Sequence, residues 1–231
     1  MSGILETLRG GLIVSVQAEP TSVLGQPETI ALLARCVVAN GAAGVRIEGA
    51  ARIRAVRAAV DVPIVGIVKR AHPGFEPYIT STFDEVRAVA EAGADVVAFD
   101  ATDRRRAGGA TPAALVAEIR RLGLLAMADC AVEADGAAAA GADVVATTLA
   151  GYTAATAGRA LPALDLVASL AARHAFVVCE GGIATAEAAR AAFAAGAAAI
   201  VVGTAITNVD ALTRRFAEVV PGAGAPSERR T

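Results

Sequence analysis

The chain has 231 residues, 55% apolar and 19% charged, with a formal net charge of −2; it is long enough for one large core and too apolar for a disordered or fibrous protein. Alanine makes up much of the apolar count, and no uncharged stretch reaches the roughly 18 residues that a membrane-spanning helix needs. Near-balanced charge, with no basic block beyond Arg104-Arg105-Arg106, excludes the electrostatic footprint of a nucleic-acid-binding protein.

Short β-branched runs alternate with alanine-rich amphipathic segments eight times. The strands are expected at Leu12–Gln17, Gly44–Glu48, Ile64–Arg70, Val96–Asp100, Leu124–Asp129, Val144–Leu149, Phe176–Glu180 and Ile200–Gly203. Helical segments include Pro27–Asn40, Thr82–Ala92, Thr111–Leu122, Pro162–Arg173, Thr185–Ala195 and Asn208–Val220. Thr82 and Thr111 are placed as N-caps, Glu85 completes a capping box with Thr82, and Pro112 suits a first helical position. Gly41, Gly93, Gly123, Gly141 and Gly196 stand where a left-handed residue closes a helix. The phrase Ala-Gly-Ala recurs at 92–94, 140–142 and 195–197, each time just before a strand. The mean strand spacing of about 27 residues is that of a βα unit. Eight such units predict a single (β/α)8 barrel, an α/β fold, over residues 1–221. An open dinucleotide-binding sheet is excluded because Ala18-Glu19-Pro20-Thr21 follows the first strand, with no glycine fingerprint. Residues 222–231, small and charged, read as a disordered C-terminal tail.

The N-terminus has no basic-then-apolar leader, so a cytoplasmic location is expected. Cys36, Cys130 and Cys179 lack C-x-x-C spacing and read as reduced thiols serving as small core residues. The arginine triplet reads as a solvated loop. His72 and His174 stand alone, without metal-ligand spacing, and no metal site is expected.

Each strand ends in a polar residue or glycine: Gln17, Glu48, Lys69, Asp100, Asp129, Thr147 or Thr148, Glu180, Gly203. Alternation puts Ser15 with Gln17, Arg46 with Glu48, Ile67 with Lys69, and Val178 with Glu180 on faces that point into a barrel. Buried polar ends cost free energy unless they meet one another, water or a ligand, and this end of the barrel is where such folds place their active sites. Lys69 is the single lysine beside 20 arginines. Unlike arginine, a lysine can lose its proton and act as a base or form a Schiff base. Arg46 on the neighbouring strand and Arg70 beside it are expected to lower its pKa. Glu180, across the barrel, is an acid for the opposite face of a substrate carbon, the pair that stereochemical inversion needs. Glycines after strands seven and eight let backbone amides approach an anion, which points to a small phosphorylated metabolite.

With these segments in place the chain resembles, over nearly its whole length, the N-acetylmannosamine-6-phosphate 2-epimerase family. The resemblance is carried by Gly11–Gln17, Val45–Gly49, Ile64–Arg70, Pro73-Gly74 with Tyr78–Thr80, Ala92–Thr102, Met127–Asp129, Thr147–Thr153, Glu180-Gly181 and Val202–Thr207. It implies that Lys69 removes the proton at C2 and Glu180 returns one from the other face. It assigns Gln17, Arg46 and Asp129 to the sugar, its N-acetyl group and the neighbouring carbonyl, with Arg46 the candidate to stabilise the enolate. Gly181, Gly182, Gly203 and Thr204 fall to the phosphate end. It further implies no metal, no organic cofactor, a phosphorylated amino sugar as substrate and a homodimer. Gly182 and Asn208 depart from the family, whose members commonly carry a basic residue at the first and arginine at the second. The phosphate would then rest on backbone amides, or the substrate would be a less charged N-acyl sugar. Ala71 is a lesser departure, where the family tends to be acidic. Two alternatives are a Schiff-base aldolase or lyase acting through Lys69, and a barrel that binds a phosphosugar without turnover.

Overall fold

The computed structural model describes residues 2–221. In chain order its elements are α1 (Ser2–Leu8), β1 (Leu12–Val16), α2 (Pro27–Ala39), β2 (Gly44–Glu48), α3 (Ala50–Arg57), β3 (Ile64–Ile67), α4 (Phe83–Glu91), β4 (Val96–Asp100) and α5 (Pro112–Arg121). There follow β5 (Leu125–Asp129), α6 (Glu133–Ala138), β6 (Val144–Ala146), α7 (Leu164–Ala171), β7 (Val177–Glu180), α8 (Ala186–Ala194), β8 (Ala199–Val202), α9 (Thr204–Thr207) and α10 (Val209–Ala217). Every strand pairs in parallel with its successor and β8 returns to β1, closing the expected (β/α)8 barrel. The expected tail, 222–231, lies outside the described residues. Among the described residues no helix is long and apolar enough to cross a membrane.

The local signals work as chemistry requires. Thr82 Oγ1 accepts from the Glu85 amide while the Glu85 carboxylate accepts from the Thr82 amide, so two otherwise orphaned donors are satisfied at the start of α4. Thr111 caps α5 by accepting from Ala114 N. The five helix-closing glycines all have φ between +79° and +103°, a region that costs other residues more.

Alternation splits the core into two layers. Ile13, Val65, Ile67, Ala98, Met127, Val178 and Val201 fill the barrel. Val14, Val45, Phe99 and Cys179 face outward onto Ile30, Ile53, Val86, Leu115 and Ile119 of the helices. The unpredicted α1 closes the N-terminal end with Leu8, which packs so near β2 that a Cβ on Gly44 would lie 2.7 Å from its Cδ2. Apolar closure below leaves the polar chemistry at the C-terminal mouth.

Four expectations change. Strand β3 ends at Ile67, not Arg70, because residues 68–80 fold back as a narrow antiparallel ribbon with Lys69 opposite Ile79 and His72 opposite Phe75. The ribbon is anchored at buried Thr80, whose φ of +41° is unusual for a β-branched residue and whose Oγ1 accepts from Val68 N at 3.1 Å. Strand β6 ends at Ala146, short of Leu149. The arginine triplet is not a solvated loop: Arg106 is buried, Arg104 is half-buried, and both donate to the buried Asp100, leaving Arg105 exposed over the Phe75 ring. Burying one carboxylate at the end of β4 demands local cations, and the loop provides them. Finally, Cys130 and Cys179 are core residues but Cys36 is exposed on the outer face of α2.

Candidate active site

The floor of the barrel mouth is an ion cluster drawn from three strands. Arg46 on β2, 1% exposed, donates from Nη2 to Asp129 Oδ2 at 2.5 Å and from Nη1 to Asp129 Oδ1 at 3.1 Å, a bidentate pair. The same Nη1 donates to Glu180 Oε2 at 2.8 Å. Burial works against the Arg46 charge, but the two carboxylates more than offset it, and its pKa is raised.

Two adjacent threonines past β6 then fix Glu180 from both sides. Thr147 Oγ1 donates to the Glu180 carbonyl at 2.9 Å and accepts from its amide at 3.0 Å, holding the backbone. Thr148 Oγ1 lies 2.8 Å from both Asp129 Oδ1 and Glu180 Oε2, bridging the carboxylates. The alternatives left open at the end of this strand thus resolve into two jobs. A hydroxyl has one hydrogen, so Thr148 donates to one of the two carboxylates at a time. Asp129 has both oxygens on Arg46. Burial pushes the Glu180 carboxyl up, with Asp129 adding and Arg46 opposing.

Above the floor opens a cavity of about 1110 Å³ lined by, among others, Gln17, Arg46, Lys69, Tyr78, Thr148 and Glu180. Lys69 stands just beyond β3 and Glu180 at the end of β7. These strands are four apart in a ring of eight, so the two side chains enter from opposite sides. Lys69 is solvent-exposed through the cavity mouth, although the barrel walls crowd its side chain. That partial burial, with Arg46 adding and Glu180, Glu48 and Asp129 opposing, lowers its pKa. A lysine so placed is easier to deprotonate and a carboxyl so placed is easier to keep protonated, the complementary tuning that acid–base pairs require.

Of the residues singled out in the sequence, Gln17, Gly181, Gly182, Gly203 and Thr204 also line the cavity. Gln17 donates from Nε2 to Ser15 Oγ at 2.7 Å. Two readings need correction and a third narrows. Asp129 does not reach the cavity: it is fully buried, with both oxygens on Arg46. Arg46 borders the cavity with three of its five N–H donors on carboxylates and its Nε buried without a partner, which leaves one Nη2 hydrogen for a developing enolate rather than a two-pronged clamp. Arg70 does not tune Lys69; it is mostly exposed and turns toward Glu85, 3.9 Å away. Asp100, another polar strand end, is consumed by Arg104 and Arg106.

Sequence reasoning did not pick out Arg52 and Arg215 in the cavity wall, or the contacts of Tyr78 and Tyr152 with it. The tyrosines lay inside segments already noted, whereas Arg215 had one signal, its i+7 spacing from Asn208 on a predicted helix. Among the described residues no group of three or more His, Cys, Asp or Glu side chains is placed to hold a metal ion.

Residues 30–221 match the family model NanE, described as "Putative N-acetylmannosamine-6-phosphate epimerase". A Synechococcus elongatus protein described as "Putative N-acetylmannosamine-6-phosphate 2-epimerase" is 48% identical over 212 residues, covering 89% of this chain and 91% of that protein. A Brucella melitensis protein, "Bifunctional enzyme NanE/NanK", is 43% identical over 97% of this chain, which spans 43% of its length. Among solved structures, the N-acetylmannosamine-6-phosphate 2-epimerase from Clostridium perfringens superposes with a TM-score of 0.89 at 35% identity, covering 94% of this chain and 96% of that one.

Proposed function

The chain belongs to the N-acetylmannosamine-6-phosphate epimerase family, and from that premise we propose that Lys69 and Glu180 interconvert N-acetylmannosamine 6-phosphate and N-acetylglucosamine 6-phosphate by moving a proton at C2. The entry of a lowered-pKa lysine and a raised-pKa carboxyl from opposite sides of one cavity supports this most. In the open-chain sugar C2 lies beside the C1 aldehyde, so its proton is acidic once the resulting enolate is stabilised. The neutral Lys69 amine takes the proton from one face of the manno epimer and becomes an ammonium. Glu180 then gives its proton to the other face of C2 and becomes a carboxylate. The new C–H bond consumes the enolate electrons, the carbonyl re-forms and the gluco epimer results. The ammonium and carboxylate return to their starting states by proton exchange with cavity water. In the reverse direction the roles exchange.

Arg46, Asp129 and Thr148 work through Glu180: they hold its carboxyl at one angle and set its proton affinity. Gln17 is a polar side chain available to the sugar itself, and Gly181, Gly182, Gly203 and Thr204 form the wall toward its far end. The lyase and non-catalytic alternatives have no comparable support. A homodimer is part of the same proposal, consistent with Phe216 and Leu32, which stand exposed on α10 and α2. So is a cytoplasmic location, where a small sugar phosphate would be available; light scattering and cell fractionation test these two.

Proton NMR in D₂O tests the reaction. N-acetylmannosamine 6-phosphate should yield the gluco epimer carrying deuterium at C2. Absence of both epimer and exchange would refute the proposal.

A further inference from the structure

The carboxylates of the outer cavity wall are already neutralised. Glu48 pairs with Arg52, and Glu19, which lines the wall, pairs with Arg214. Arg215 also lines the cavity, yet among the described residues it makes no ion pair. Its position is set by helix geometry. Asn208, Ala211, Leu212 and Arg215 recur at i, i+3, i+4 and i+7, so one face of α10 turns toward the cavity, and all four residues line it. At the start of that face, Asn208 is occupied as the helix cap, its Oδ1 accepting from Ala211 N at 2.9 Å.

The wall contributed by the loops after β7 and β8 carries no cation. Residue 182 has no room for any side chain: its φ is +72°, and a Cβ there would lie 2.4 Å from Leu161 Cβ. The outer cavity therefore combines a bare backbone wall with one guanidinium whose charge is unanswered. A neutral hydroxyl needs no such group. A phosphate dianion does, and the planar fork of arginine matches its oxygens.

We propose that Arg215 is the cation that holds the 6-phosphate, and that it sets the preference for the phosphorylated over the free amino sugar. This rests on the epimerase reading and deepens it by naming the residue that recognises the phosphate. Because Arg215 is solvent-exposed, its attraction is screened by salt, and the phosphate preference should weaken as ionic strength rises.

The test is the ratio of kcat/KM for N-acetylmannosamine 6-phosphate to that for N-acetylmannosamine, followed as C2 deuterium incorporation. It is measured in the full chain, in Arg215→Met and Arg215→Lys, and in Arg190→Met as a remote loss of one charge. Arg215 and Arg190 are both exposed, so these substitutions leave the core intact. The ratio is expected to fall about tenfold in Arg215→Met, recover in part in Arg215→Lys and stay unchanged in Arg190→Met. Inorganic phosphate should inhibit the unsubstituted chain and Arg190→Met competitively, and Arg215→Met about tenfold less. If the unsubstituted chain turns over the phosphorylated sugar but Arg215→Met keeps the same ratio and the same inhibition by phosphate, the inference is overturned while the epimerase reading stands. If neither sugar exchanges in the unsubstituted chain, the epimerase reading fails and the inference falls with it.

Discussion

Asp100 and Asp129 sit side by side, in register, at the ends of β4 and β5, and both are fully buried against arginine. Their surroundings nevertheless make them opposite in kind. Asp100 is satisfied from its own loop: Thr102 Oγ1 at 2.6 Å, Arg104 Nη2 at 2.7 Å and Arg106 Nη2 at 3.4 Å, with Arg106 also donating to its carbonyl at 2.6 Å. None of these residues lines the central cavity. Asp129 takes its arginine from β2, 83 residues away, and shares it with Glu180, which does face the cavity. The same ingredients give a locked corner in one case and a platform under a proton donor in the other. What separates them is whether the cluster includes a titratable group with an open side. The local cluster neutralises a strand end, whereas the long-range cluster tunes a neighbour.

The sharpest break in this comparison comes from the cavity side. Lys69→Ala removes the base but no floor contact, so kcat should fall by at least about a thousandfold while substrate binding, measured by calorimetry, stays within about tenfold. Next come the two aspartates. Asp129→Asn should lower kcat roughly ten- to a hundredfold by loosening Glu180. Asp100→Asn should instead cost about 3 kcal/mol of stability in urea unfolding, with kcat of the folded protein unchanged. If Asp100→Asn moves kcat as much as Asp129→Asn, the two clusters are not different in kind. Thr148→Val is smaller, about tenfold in kcat, and Thr148→Ser should restore it. The Thr148 hydrogen bond lowers the Glu180 pKa, so its loss should move the ionisation of Glu180 to still higher pH, a change visible in the rate profile. Smallest of all, Arg105→Ala removes the stacking over Phe75 and should cost about 0.5 kcal/mol with no kinetic effect.

Much of this was legible in the sequence because the barrel repeats its instructions. Polar strand ends, β-branched runs and helix-closing glycines each recur, and Lys69 and Glu180 stood out by rarity and by position. Lys69 pointed inward as expected although β3 had already ended, because the 68–80 ribbon keeps the alternation running past the ladder. The failures share a cause. Whether a charge is solvated or buried depends on what folds back onto it, and nothing in Arg104-Arg105-Arg106 says that Asp100 needs two of the three. Likewise, Arg46 and Asp129 were legible as inward polar groups but not as partners, since their pairing is a property of closure. Arg215 was hidden for a further reason: the face a surface helix turns inward is set by where the chain leaves β8.

The central claim, two proton carriers on opposite faces of one carbon, is tested most directly with Glu180→Gln in D₂O. Lys69 is intact in this variant, so N-acetylmannosamine 6-phosphate should exchange its C2 proton for deuterium without becoming the gluco epimer. The exchange rate should rise with pH in a single limb as Lys69 loses its proton, since the group that must stay protonated is gone. N-acetylglucosamine 6-phosphate, whose C2 proton faces the missing carboxyl, should not exchange. Epimerisation at an undiminished rate, or equal exchange from both epimers, would contradict the account and assign both faces to one base.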